Sequence, residues 1–182
     1  MLLIKLKPRD MEAFHNRGSI QVELRAFDRA LSDFGQIIKI EPGNVSGHYS
    51  RGLVLQRMNQ HHRAILEFNR AIDLMPGHAR AFNVRGLAYA VLGETARSLQ
   101  DFDQAILLDR DLAEAYVNRG NILHAMRAYD RALADFNEAL RLNPKDAHSL
   151  YSIGLILRAT GNSEEANRQI ARANAIEPGI GR

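Results

Sequence analysis

Residues 113–146 read AEAYVNRGNILHAMRAYDRALADFNEALRLNPKD, and this stretch decides the fold. Apolar residues fall at helical spacing in two runs, with Ala115, Tyr116 and Leu123 in the first. Ala132, Leu133, Phe136, Ala139, Leu140 and Leu142 make up the second. A break at Arg127-Ala128-Tyr129 separates the runs, which predicts two helices folded back on one another. Gly120 stands inside the first run, and Pro144 closes the second. Steps of 34 residues from Gly120 reach Gly18, Gly52, Gly86 and Gly154. The same step from Pro144 reaches Pro8, Pro42, Pro76 and Pro178, and the one vacant mark holds Arg110. All five prolines of the chain therefore share one phase. A fixed period of this length is the signature of a repeat array, whose units bury their apolar faces by stacking.

Within that register each recurring residue has a mechanical reason. Glycine in a helix interior costs about 1 kcal/mol relative to alanine, so its return implies close approach of the paired helix. Ala30, Ala64, Ser98, Ala132 and Ala166 are the small residues expected on that partner, with Phe34, Phe68, Phe102 and Phe136 filling a wider gap. Pro42, Pro76 and Pro144 are expected to stop the second helices, because proline lacks the amide donor. Arg110 is then the joint without a stop. Asn44 and Asp146 are placed to cap first helices, and Asn162 with Glu165 reads as a capping box.

These features together resemble the tetratricopeptide repeat family over essentially the whole chain. The units are 11–44, 45–78, 79–112, 113–146 and 147–180, preceded at 1–10 by the end of a further second helix. Leu3-Ile4-Lys5-Leu6-Lys7-Pro8 aligns there with Ile37-Ile38-Lys39-Ile40-Glu41-Pro42. Departures are Ile37 at an alanine position, Arg110 at a proline position, Ile170 at an aromatic position, and His48 and Leu150 where Phe14, Phe82 and Tyr116 stand. The resemblance implies an all-α right-handed superhelix of antiparallel helix pairs, with first helices lining a concave groove. It implies a peptide-binding floor of His15, Tyr49, Leu53, Gln56, Arg80, Asn83, Leu87, Val117, Asn121, His124, His148, Tyr151 and Leu155. One chaperone-binding subclass grips a terminal carboxylate with Lys, Asn, Asn, Lys and Arg. The corresponding places here hold His15, Ser19, Ser50, Arg80 and Val84, or Tyr49, Leu53, Val84, Glu114 and Asn118, which disfavours a chaperone-tail receptor.

Composition narrows the function further. Cysteine is absent, so disulfides and thiol chemistry are excluded. The net charge is only +3, and acidic residues interleave with the arginines, as in Glu23, Arg25, Asp28, Arg29 and Asp33. A nucleic-acid surface would cluster its basic residues with aromatics, so nucleic acid is not an expected partner. No phosphate loop, nucleophile elbow or His-Glu-x-x-His run is present, and no enzyme, cofactor or metal site is expected. His61-His62 reads as a solvated turn between helices. No signal peptide or membrane span is legible, so the cytoplasm is favoured and membrane insertion is not expected.

The expected function is a non-enzymatic scaffold that holds a protein or peptide in its groove. The alternatives are self-association through an uncovered apolar face of the first unit, or a regulatory arm of a larger enzyme such as a glycosyltransferase. Arg17, Arg51, Arg85 and Arg119 recur at one position and read as packing and ion-pairing residues. At the other end, Asn167 and Asn174 replace apolar residues on an outward face, as a terminal unit requires for solubility. The tail from Gly179 to Arg182 is expected to fray.

Overall fold

The computed structural model describes residues 10–181, all of it helix and turn. The expected helical end at Leu3–Pro8 lies outside the described residues, as does Arg182. Among the described residues, ten α-helices fall into two compact units that divide between residues 94 and 95. The first unit holds α1 (Met11–Glu23), α2 (Phe27–Ile40), α3 (Val45–Arg57), α4 (His61–Leu74) and α5 (Ala79–Val91). The second holds α6 (Thr95–Leu108), α7 (Ala113–Ala125), α8 (Tyr129–Leu142), α9 (Ala147–Ala159) and α10 (Ser163–Ile176). Within the units, α1 with α2, α3 with α4, α7 with α8 and α9 with α10 form antiparallel hairpins. Each hairpin also packs on the next element, through α2 on α3, α4 on α5, α6 on α7 and α8 on α9.

The turn after each first helix is set by one left-handed residue. Arg25, Asn59, Gly93, Arg127 and Gly161 all have φ between 56° and 91° and stand 34 residues apart. This conformation is easy for glycine and tolerable for asparagine, but strained for arginine. The helix that follows starts one residue after the next position. Tyr129 therefore opens α8 instead of ending the turn, and His61-His62 opens α4 instead of forming a solvated loop.

The second helices end without help from proline. α2 stops at Ile40 with extended Glu41 as its cap, and Pro42 lies beyond. α6 stops in the same register at Leu108, although Arg110 replaces the proline. There Asp109 Oδ1 accepts the Asp111 amide at 3.0 Å and closes the turn. The expected altered joint at Arg110 thus leaves helix length unchanged. At the next helix starts, Asn44 Oδ1 accepts from Gly47 N and Asp146 Oδ2 from Ser149 N, both at 2.9 Å. Asn162 accepts from Glu165 N at 3.4 Å, but the Glu165 carboxylate turns to Gln169 and Arg168, so the capping box has only one arm.

The recurring glycines hold a side chain rather than a backbone. A Cβ on Gly52 would lie 2.5 Å from the Phe68 ring, and one on Gly18 or Gly120 would lie 2.9 Å from Phe34 or Phe136. The phenylalanine does not fill a wider gap elsewhere; it is seated directly on the glycine. A Cβ on Gly154 would also meet backbone, 3.1 Å from the Ala166 carbonyl oxygen, where Ile170 replaces the aromatic. Phe34, Phe68, Phe102 and Phe136 are buried to 2% exposure or less. Around Phe34 the core gathers Phe14, Ala30 and Ile37 with Val54 from the following hairpin.

Two glycines predict opposite outcomes for the same substitution. Gly35 lies inside α2 with nothing within 4 Å of an added Cβ. Gly35→Ala should therefore stabilise the protein by about 0.5–1 kcal/mol through helix propensity. Gly52→Ala should destabilise it by about 1–3 kcal/mol, because the Phe68 ring must leave its seat. Denaturant unfolding followed by circular dichroism checks both signs.

Candidate functional site

First helices are neighbours within each unit, α3 touching α5 and α7 touching α9. In the first unit a notch of about 190 Å³ lies between α1 and α3. Its apolar side comes from Val22, Phe34, Leu53 and Val54, and its polar side from Ser19, Ser50, Glu23 and Arg57. Beside it, His15 Nε2 approaches Ser50 Oγ at 3.5 Å and stacks edge-on against Phe34. Gln56 and Leu87 are half-buried and Arg80 is exposed, so these side chains reach the surface. Two expected floor residues are more structural. Asn83 is only 7% exposed, and Tyr49 packs on Phe68 and His78, with ring centroids 6.2 and 4.8 Å away.

In the second unit a cleft of about 210 Å³ is lined by Glu114, Val117 and Asn118 of α7 with Asn143 and Asp146 of the turn between α8 and α9. His148 Nε2 donates to Asn121 Oδ1 at 3.1 Å, joining α9 to α7 across this side. His124 lies 6.0 Å from the Tyr129 ring, and Leu155 is half-buried. Tyr151 is partly covered by the chain's own tail, since a Cβ on Gly181 would run into its ring. The tail is folded back rather than frayed through Gly181, with Gly179 N donating to Asn174 Oδ1 at 3.3 Å. Asn174 also donates to the Ile170 carbonyl at 2.9 Å, so its polarity serves its own backbone.

Arg17, Arg51 and Arg119 each clamp an acidic residue sixteen positions later, and Arg85 donates to Asn69 at 2.7 Å. Arg17 donates to both oxygens of Asp33, and Arg51 to Glu67 at 2.6 Å. Arg119 holds both oxygens of Asp135 at 2.7 and 2.9 Å and reaches Asp103 of α6 at 2.6 Å. The guanidinium carbons of Arg17, Arg85 and Arg119 lie 5.2–5.9 Å from the centroids of Phe14, Phe82 and Tyr116. Hydrogen bonding to Asp135 holds the Arg119 pKa above its ordinary value against the effect of burial. The sequence signal for these partners is the 34-residue recurrence of an acidic residue at Asp33, Glu67 and Asp135, a position that Asp101 also holds. No group of three metal-binding side chains comes together among the described residues.

Two further observations concern the outer faces. Ile20 and Leu24 of α1 are 60% and 73% exposed, whereas Val54, Ala88 and Ile156, in register with Ile20, are buried at 1% or less. No helix among the described residues is long and apolar enough to cross a membrane.

Two family models of the tetratricopeptide repeat match the chain, one over residues 113–146 and one over 49–114, together more than half of its length. The chain belongs to the tetratricopeptide repeat family. No curated protein matches it in sequence. Among solved structures, MamA superposes with a TM-score of 0.78 at 23% identity, over 88% of this chain and 94% of that one. YrrB, described as a TPR protein with an unusual peptide-binding site, has a TM-score of 0.71 at 20% identity, over 94% and 89%. PilF of Pseudomonas aeruginosa reaches 0.85 at 18% identity, over 93% of this chain and 78% of its own. At such identities these tetratricopeptide repeat structures share the fold.

Removal of the clamp arginine should be costly at Arg119 and cheap at exposed Arg141. Arg119→Ala leaves the buried Asp135 carboxylate without its main partner, an expected loss of about 2–4 kcal/mol. Arg141→Ala breaks a solvated pair within one helix and should leave the denaturation midpoint nearly unchanged. Denaturation midpoints decide between them.

His78 predicts a pH effect. Its Nδ1 accepts the Ala81 amide at 3.3 Å and caps α5. Desolvation by burial lowers its pKa below the ordinary histidine value. The folded state thus favours the neutral ring. The stabilisation is full above about pH 6.5, the unfolded value, and is lost as pH falls through the depressed folded pKa. His78→Asn, which keeps a capping oxygen as Asn44 does, should remove this acid-side loss in urea titrations across the acidic range.

Proposed function

We propose that this tetratricopeptide repeat protein is a non-enzymatic scaffold that binds an extended peptide or protein segment along the first helices of its units. The observation that carries the reading is the α1–α3 notch, where Val22 and Leu53 offer apolar contact and Ser19 and Arg57 offer hydrogen bonds. Alternating apolar and polar groups suit a peptide that presents every second side chain to a surface. The helices and turns that hold the notch are fixed by packed cores, which lowers the ordering cost on the protein's side. YrrB, with its described peptide-binding site on the same fold, adds support by analogy. We read the array as five repeats over 11–44, 45–78, 79–112, 113–146 and 147–180. The ligand-facing set is His15, Leu53, Gln56, Arg80 and Leu87 in the first unit, and Val117, Asn121, His124, His148 and Leu155 in the second. Tyr49, Asn83 and Tyr151 shape the walls from beneath.

Peptides selected from a random library on the wild-type protein supply the test. Ser19→Arg projects a long charged side chain into the notch and should weaken the selected peptides at least about tenfold, close to 1.4 kcal/mol. Leu66→Arg, at an exposed site on α4, should leave affinity unchanged by fluorescence anisotropy. Equal binding by Ser19→Arg and wild type would remove the notch from the binding surface.

A further inference from the structure

The notch of the first unit adjoins a second hollow, of about 490 Å³, and the two share Val22, Glu23 and Arg57 as wall residues. Arg25 and Phe27 complete the second hollow. Its charges come from three residues at the ends of helices. Glu23 and Arg57 close α1 and α3 at one register position, where later first helices carry Val91, Ala125 and Ala159. Arg25 follows in the turn between α1 and α2 with φ 56°, and Asn59, Gly93, Arg127 and Gly161 hold its place in the other turns. Glycine takes this conformation freely and arginine is strained in it, so the turn itself does not select arginine. All three charged side chains are exposed, and none enters an ion pair or side-chain hydrogen bond among the described residues. Arg17 of α1 and Arg51 of α3, by contrast, are bound to Asp33 and Glu67. The hollow therefore sets two guanidinium groups against one carboxylate, directly beside an apolar notch.

We propose that this hollow is an anion subsite, which takes the side-chain carboxylate of an Asp or Glu in a bound peptide while the notch takes an apolar neighbour. The inference rests on the peptide-binding reading and adds a charge preference to it. A guanidinium presents paired N–H donors in the plane that a carboxylate accepts from. Two of them beside a single resident carboxylate leave donors for one more. An extended chain places residues i and i+2 on the same face, about 7 Å apart, so the acidic residue belongs within two positions of the apolar one. Glu23 competes for the same donors and repels the incoming charge, which limits the subsite to one carboxylate. Arg25 and Arg57 stand at none of the places that a clamp for a chain terminus would use, so the ligand group is a side chain rather than a terminus.

Arg25→Gly removes one cation without endangering the fold, because it copies Gly93 and Gly161. Peptides selected from a random library on the wild-type protein should carry an Asp or Glu within two residues of an apolar side chain. At low salt, where screening is weak, Arg25→Gly and Arg57→Gln should each weaken these peptides about threefold by fluorescence anisotropy. The double variant should weaken them about tenfold, and Glu23→Gln should tighten them. Peptides remade with Asn or Gln in place of the acid should bind wild type and Arg25→Gly alike. Arg127→Gly, the same change at a turn of the second unit, should alter nothing. Selected peptides without an acidic residue, or acidic peptides held equally by wild type and the double variant, would overturn the proposal. In that case a loss of binding in Ser19→Arg would still leave the notch as a peptide site. Equal binding by Ser19→Arg as well, or a selection that yields no peptide, would remove both readings.

Discussion

Everything in this array hangs on a phenylalanine ring seated on a glycine of the paired helix. The contact at Gly52 and Phe68 leaves no room for a single carbon, so it fixes the spacing of the two helices and their rotation together. With the ring in place, the alanines beside it pack to zero exposure, and an apolar residue from the following hairpin closes the layer, as Val54 does against Phe34. The arginine clamp then lies over the outer end of this layer, with an aromatic beneath and a carboxylate beside it. Dispersion, cation–π attraction and a charge-assisted hydrogen bond thus act at one register position. The design is modular because the seat recurs at Gly18 and Phe34, Gly52 and Phe68, and Gly120 and Phe136, with Ile170 taking the ring's place against Gly154. Its cores are also shared, so a hairpin gains much of its burial from its neighbour.

The fold was legible because its constraints recur. Glycine, proline and phenylalanine at one period identify helix pairs before any other reading, and helix starts at residues 11, 45, 79, 113 and 147 follow that register. The reasons attached to individual residues were less secure. Proline marks the joint without making it, since α6 ends in register before Arg110. Gly18, Gly52 and Gly120 admit a ring rather than a neighbouring backbone. The left-handed position carries Gly93 and Gly161 in two turns but Arg25 and Arg127 in two others, so composition alone could not mark it. That gap is why Tyr129 and His61 were assigned to turns.

The candidate surface was legible only in outline. Register places His15, Leu53 and Leu87 on first helices, and the notch between α1 and α3 does include Leu53. Register does not say how deeply a side chain sits. Asn83 is buried and Tyr49 packs against Phe68 and His78, because neighbouring helices close over those positions. The arginine hollow was hidden for a related reason. Arg25 reads as a turn residue and Arg57 as the end of a helix, and only the stacking of the first two hairpins brings them to one hollow.

The central claim is that the first-helix surface of this tetratricopeptide repeat protein holds a peptide. Backbone amide NMR of the labelled protein titrated with a library-selected peptide tests it most directly. The account predicts shift changes centred on Ser19, Val22, Leu53 and Arg57, spreading along α1, α3 and α5. Changes confined to the second helices, with these four amides unmoved at saturation, would contradict it.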